Sequence, residues 1–364
     1  MRPVIIGGGV AGCAIAAALR ANGAVEEPVV VERRASGAPA GMGFILMPNG
    51  LDALARIAPE FDWRAAGRAI DRVSLRRADG TVIDEPEIEP AVCVSRERFL
   101  AMLREAAGGA RFIEGRSVAN LARDEDGDFT AIRLDDGSEI AGDVFFGCDG
   151  AQSRTRGMVF PDAALGEVVV KEIVSVADSA ALAAELGTTF RKYHDEEGGF
   201  AVGLLAESDA RVVWFVQFDA RRWPEVDASP EHLAAFVGER IAGWPADVRA
   251  AFAATDFRRS HLWPTRDLHP LASLAEANLA LVGDAAHACL PFTSQGANGA
   301  LVDAALLGEL LDGARTPREA AAAFARYSEL RRPHHRRMFM EGRRLREDFL
   351  APLAGRGPSV PLVR

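Results

Sequence analysis

Near the start of the chain, Gly7-Gly8-Gly9-Val10-Ala11-Gly12 places three glycines in the pattern GxGxxG, and Glu32 follows at the end of the next apolar run. That spacing suits the binding of a pyrophosphate. Gly7 allows a tight turn, Gly9 lets the backbone approach the phosphates, and Gly12 lets a helix pack closely on a strand. A helix that opens at Val10 and Ala11 would offer its unpaired N–H groups and positive dipole end to the same phosphates. A carboxylate at position 32 can accept hydrogen bonds from ribose hydroxyls. The pattern predicts a dinucleotide site without choosing between FAD and NAD.

Two later stretches narrow that choice. Residues 142–156 read Gly-Asp-Val-Phe-Phe-Gly-Cys-Asp-Gly-Ala-Gln-Ser-Arg-Thr-Arg, an apolar strand ending in Asp149-Gly150. A second apolar strand, residues 279–282, runs into Gly283-Asp284-Ala285-Ala286-His287, then Pro291 and Gln295-Gly296-Ala297-Asn298. Asp284 at a strand end is a short acceptor suited to a polyol chain. The turn at Gly296, Ala297 and Asn298 opens another helix, whose tip would stabilise negative charge on a ligand placed there.

In this order the three stretches resemble the class A flavoprotein monooxygenases, the para-hydroxybenzoate hydroxylase family. That family carries GxGxxG, a central DGxxSxxR, and a later GDxxH…P…GxGxN. Asp149, Gly150, Ser153 and Arg156 match the second motif; Gly283, Asp284, His287, Pro291, Gly296 and Asn298 match the third. The resemblance spans nearly the whole chain. It implies non-covalent FAD, NADH or NADPH as co-substrate, and O2. The activity implied is hydroxylation of a small aromatic or polycyclic molecule through a flavin C4a-hydroperoxide. It further implies that Arg96, at a helix start, contacts the ribityl or pyrophosphate region, and that Arg33 and Val118 lie at the adenosine end. One departure stands out: Thr293-Ser294 occupies positions where many relatives carry a glycine pair beside the flavin ring.

Other readings are weaker. A flavin reductase or dehydrogenase of the same fold that inserts no oxygen is the main alternative. The Trp-x-Trp-x-Ile-Pro signature of flavin halogenases is absent, and a single GxGxxG argues against a second nicotinamide-binding domain. A binding module that has lost its flavin would have little reason to keep Asp284 and the 296–298 turn.

The elements that must position these residues follow from pattern. The expected fold is α/β: a Rossmann-like FAD-binding domain with an interleaved substrate domain built on a mainly antiparallel β-sheet. Residues 1–70, 95–165 and 265–364 are assigned to the first, residues 71–94 and 166–264 to the second. Gly23 would end the first helix, Asp79-Gly80 and Asp135-Asp136-Gly137 mark hairpin turns, and residues 317–349 read as helical before a frayed Gly355-Arg356-Gly357-Pro358 tail. In the strand at 211–218, Val212, Trp214, Val216 and Phe218 share one face by alternation. That face either lines the substrate pocket or forms ordinary core. Trp214, Phe292 and Thr293 are taken as pocket candidates. No side chain stands out as a catalytic base; Tyr193, His194 and His261 are considered only because titratable groups are few in this stretch.

Bulk properties set the outer limits. A length of 364 residues suits about two domains. A net charge of −10 argues against a nucleic-acid surface. Cys13, Cys93, Cys148 and Cys289 form no CxxC and no metal-ligand spacing, so neither a metal site nor a disulfide framework is expected. The glycines at positions 7–9 and 12 break up the apolar opening, and no apolar run reaches the ~18–20 residues of a membrane span. A cytoplasmic monomer or homodimer acting on a small molecule is expected.

Overall fold

The computed structural model describes residues 1–22, 26–35 and 42–353. Gly23 and Gly355-Arg356-Gly357-Pro358 therefore lie outside the described residues. Three sheets organise the chain. The first has six strands in the order Ala275–Glu276, Leu279–Leu281, Val144–Gly147, Pro3–Ile6, Val29–Glu32, Arg111–Glu114. Its neighbours run parallel except the outermost Ala275–Glu276 pairing. The central strands read PVII and VFFG with every residue buried, as a parallel sheet covered on both faces demands. The helix Val10–Asn22 packs beside Gly296–Leu310, and both contribute alanines to the core cluster that encloses this sheet.

A small antiparallel sheet, Val118–Arg123, Phe129–Leu134 and Glu139–Ala141, follows the edge strand. Its second hairpin turns at Gly137, whose φ of 84° only glycine adopts without strain. The predicted turn at Gly80 is also present, with φ 94°.

The third sheet is the large one. Eight strands run in the order His261–Pro264, Val170–Asp178, Arg211–Asp219, Phe200–Ala206, Thr189–His194, Arg68–Arg77, Glu87–Ser95, Gly43–Leu46, with Val82–Asp84 paired to Arg68–Arg77. All pairings are antiparallel except Thr189–His194 against Arg68–Arg77. The expected mainly antiparallel sheet is thus present, with one parallel seam. Gly43–Leu46 hydrogen-bonds into this sheet although the sequence reading assigned it to residues 1–70.

One face of the large sheet is backed by the helices Ala180–Leu186, Pro230–Ile241 and Ala246–Ala253. Val212, Trp214, Val216 and Phe218 all point into that helix-backed core, where Trp214 donates Nε1–H to Thr255 Oγ1 at 2.9 Å. The assignment of Trp214 to the pocket is therefore corrected. Alternation was read rightly, but helices cover this face, and Val213, Phe215 and Gln217 occupy the opposite one.

Candidate active site

The first glycine loop is shaped as its spacing requires. Gly7 adopts φ 110° and donates its N–H to Val31 O at 2.7 Å, locking the turn onto the neighbouring strand. A methyl group on Gly12 would lie 1.8 Å from Gly7 O and 3.1 Å from Ile5 Cγ2, so helix and strand close only over a hydrogen atom. A methyl on Gly9 would meet nothing within 4 Å; this is the open side of the loop. Val10 and Ala11 begin the helix there and are themselves buried. Glu32, at its strand end, accepts from Gly8 N (2.8 Å) and Arg34 N (2.8 Å), which ties the acid to the loop and leaves lone pairs for a ligand. Arg33 is exposed beside it. Arg116 N donates to Glu32 O at 3.1 Å, so the chain leading to buried Val118 passes the same corner.

The central motif is structural in its side chains. Asp149 accepts from Ser153 Oγ, from Thr155 N at 3.0 Å and from Thr155 Oγ1 at 3.1 Å. Its carboxylate closes the turn in which Ser153 caps the helix Arg154–Val159. The buried Arg156 then reaches across to the third motif, donating Nη1–H to Ala285 O at 3.1 Å and Nη2–H to Ala151 O at 2.6 Å.

Around the third motif the separated stretches converge. Gly283 has φ 61°, and a methyl there would lie 3.0 Å from Ala11 Cβ and 3.1 Å from Ala300 Cβ. The first loop, the Asp284 turn and the later helix are thus in mutual contact. Asp284 is exposed at the start of the short helix Asp284–His287. It lies near enough to Arg96 that its charge raises the guanidinium pKa, against the larger lowering from burial. Arg96 opens the helix Arg96–Ala106, and its N–H donates to Met42 O at 3.0 Å. Gly296 starts the helix Gly296–Leu310 beside Asp284: a methyl on it would lie 3.8 Å from Asp284 Oδ1. The first N–H groups of that helix, at Gly296, Ala297 and Asn298, have no intrahelical acceptor by geometry.

Asn298 is fully buried, and its side chain has a different task. Its Oδ1 accepts from Met47 N at 2.9 Å, and its Nδ2 donates to Ile45 O (2.9 Å) and Ser294 O (2.7 Å). This amide locks the helix tip to the strand Gly43–Leu46, so only its backbone remains for a ligand. Pro291 begins the turn Pro291–Thr293, which buries Phe292 and Thr293. Ser294 follows at φ 53°, a left-handed conformation that glycine adopts more readily. The departure at Thr293-Ser294 therefore keeps the turn at some backbone cost and adds a hydroxyl.

Two groups of largely buried polar residues gave little sequence signal. Asp303, fully buried, accepts from Arg331 Nε at 2.6 Å and pairs with His287 Nε2 at 2.5 Å; His335 Nε2 lies 3.5 Å away. Burial opposes ionisation there, but the His287 and Arg331 charges hold the carboxyl well below the usual range. This hub binds the Asp284 turn to the long helix Pro317–Leu350. Only His287 lies in a sequence motif; Asp303, Arg331 and His335 stand on two other helices, so no spacing could announce them. The second group is polar and lies on the face of the large sheet opposite its helix-backed one: Glu172, Lys192, His194 and Gln217. Of the titratable residues considered earlier, His194 belongs to this group. Tyr193 is on the helix-backed face, bound to Asp247, and His261 stands on the edge strand against Trp263.

With this geometry in place, comparison with known proteins gives a consistent picture. A family model described as "FAD binding domain" matches residues 2–341. The chain is 30% identical over 369 residues to 3-amino-4-hydroxybenzoate 2-monooxygenase PtnB3 of Streptomyces platensis, covering 96% of this chain and 89% of that one. It is 26% identical to an FAD-dependent urate hydroxylase of Klebsiella pneumoniae, covering 94% and 89%. The crystal structure of Klebsiella pneumoniae HpxO complexed with FAD and uric acid shares the fold, with TM-score 0.84, 23% identity and 96% and 88% coverage.

Proposed function

We propose, from the premise that this chain belongs to the family of FAD binding domains, that it is an FAD-dependent monooxygenase consuming NAD(P)H and O2 to hydroxylate a small aromatic substrate. The observation that carries the reading is the meeting of Gly283 with Ala11 and Ala300, which makes one cradle from stretches of chain far apart in sequence. Among the described residues no helix is long and apolar enough to cross a membrane. Four free cysteines, three of them buried, favour a reducing cytoplasm. The chain is read as two interleaved units, with residues 43–46 joining the substrate-side sheet.

The residues fit the cofactor. Gly7, Gly9, Val10, Ala11 and Gly12 would hold the pyrophosphate at a helix tip, with Glu32, Arg33 and Val118 at the adenosine end. Arg96 and Asp284 would bring opposite charges to the middle of the cofactor, while Asp149 holds its own turn through Ser153 and Thr155. Pro291, Gly296, Ala297 and Asn298 would set a helix N-terminus against the ring edge. A bound flavin supplies electron transfer from NAD(P)H and activation of O2. The chain's own work is to orient the substrate and exclude water, which the apolar walls around Phe292 and Phe349 support.

The test is direct. Purified protein should be yellow and release FAD on denaturation. With NAD(P)H and isotopically labelled O2, one labelled oxygen atom should enter an aromatic product. A colourless protein that takes up no FAD would end the reading. FAD-bound protein that oxidises NAD(P)H but labels no product would favour the reductase alternative.

A further inference from the structure

The face of the large sheet opposite its backing helices carries a short polar chain between two apolar clusters. Lys192 Nζ donates to Gln217 Oε1 at 2.9 Å, and Gln217 Nε2 donates to Glu172 Oε2 at 2.7 Å. Glu172 and Gln217 are cross-strand partners, and Lys192 lies on the same face, opposite Gly203. At one end of this strip stand Leu290, Phe292, Leu345 and Phe349; at the other are Met47, Val174, Val213 and Phe215. The Lys192 ammonium lies 5.6 Å from the Phe292 ring centre and 5.8 Å from that of Phe215. Phe292 belongs to the turn that leads into the Gly296 helix, so the lysine faces the cofactor side of the sheet.

A cation only 3% exposed is costly unless its charge is met. Here the carboxylate is not in contact with it; an amide stands between. Gln217 takes one of the three ammonium N–H groups, and among the described residues no other hydrogen-bond acceptor takes the remaining two. His194, on the same strand face, is also buried, and its Nε2 has no partner. The site thus holds an under-coordinated cation between aromatic walls, with a second unmet polar atom beside it.

We propose that Lys192, oriented by Gln217 and Glu172, receives an anionic oxygen of the substrate, a ring carboxylate or phenolate, and so selects aromatic acids over neutral isosteres. The inference rests on the flavoenzyme reading and names the substrate class of the same site. The aromatic body would pack on Phe215 and Phe292, leaving the charged oxygen for the ammonium.

The test uses calorimetric titration of FAD-loaded protein with benzoate, 3-hydroxybenzoate and 2-naphthoate, each beside its neutral amide. Wild type should bind at least one acid roughly 10- to 100-fold more tightly than its amide, as a hydrogen bond to a charged group implies. Lys192→Met and Lys192→Gln should lose that preference with amide binding unchanged, and Lys192→Arg should keep part of it. FAD content, read from the visible spectrum of each sample, separates the two claims. Wild type without FAD would sink the flavoenzyme reading. Wild type with FAD that prefers no acid, or neutral variants with FAD that keep the preference, would overturn the role of Lys192. Two neutral variants of different shape guard against the loss of one to misfolding.

Discussion

At single residues, the site is built by what is missing as much as by what is present. Gly12 is the strictest case, because any β-carbon would meet the Gly7 carbonyl. Gly12→Ala should lift the first helix from its strand and abolish flavin retention, read as loss of visible absorbance relative to protein absorbance. Asp284→Ala removes an exposed acceptor and disturbs no packing. FAD affinity should fall about tenfold with thermal stability of the FAD-free protein unchanged; unchanged affinity in an equilibrium titration would remove Asp284 from the site. Lys192 gives a pH-dependent signature. Burial pushes its ammonium down to about 8, opposed by the Glu172 charge. The unfolded chain binds this proton more tightly, so the cost of burying Lys192 appears as pH falls from about 10.5 to about 8 and is complete below that. Lys192→Met should therefore stabilise the fold by about 1–3 kcal/mol near neutral pH, an advantage that fades towards pH 10.5. Chemical denaturation of both proteins across that range checks the slope. An equal or larger advantage at high pH would contradict it.

At the scale of elements, the active face depends on two buried clamps. Asn298 clamps the Gly296 helix to the strand Gly43–Leu46; Asn298→Ala should cost about 2–4 kcal/mol, because Met47 N–H and Ile45 C=O lose their buried partner. Asp303 clamps the Asp284 turn to the long helix, and Asp303→Asn leaves Arg331 buried without a counter-charge. A loss of about 3–5 kcal/mol is expected, measured by denaturant unfolding. These clamps also mark where sequence reading stopped. The glycine loop, the hairpin turns at Gly80 and Gly137 and the helical C-terminal region were legible, because backbone geometry dictates residue type at such places. Asp303, Arg331 and Lys192 were not, since their partners come from other elements and no local period links them. Trp214 shows a subtler limit: alternation tells which residues share a face, whereas helices distant in sequence decide what covers it.

For the molecule as a whole, the proposed cradle would take parts from residues 7–12, 32, 96 and 283–298, so cofactor and tertiary structure should be linked. Adding FAD to stripped protein should raise the unfolding midpoint progressively, a stabilisation of about 2.7 kcal/mol at a hundredfold excess over Kd. A midpoint indifferent to FAD would mean that the stretches converge without it and do not bind it. The overall architecture was readable because motif order tracks strand order: each motif follows a strand of the parallel sheet. The extent of the second sheet was less so, since Gly43–Leu46 carries no pattern of its own and is recruited by Glu87–Ser95.

The parallel sheet has a consequence for synthesis. Pro3–Ile6 leaves the ribosome before its partners, yet lies between Val29–Glu32 and Val144–Gly147, with Leu279–Leu281 beyond. Such long closures are slow. Until the last of these strands emerges, the nascent chain carries an unshielded β-edge of apolar residues, an invitation to self-association that chaperones must cover. Chains truncated before residue 279 should accumulate in inclusion bodies, while longer ones remain in the supernatant.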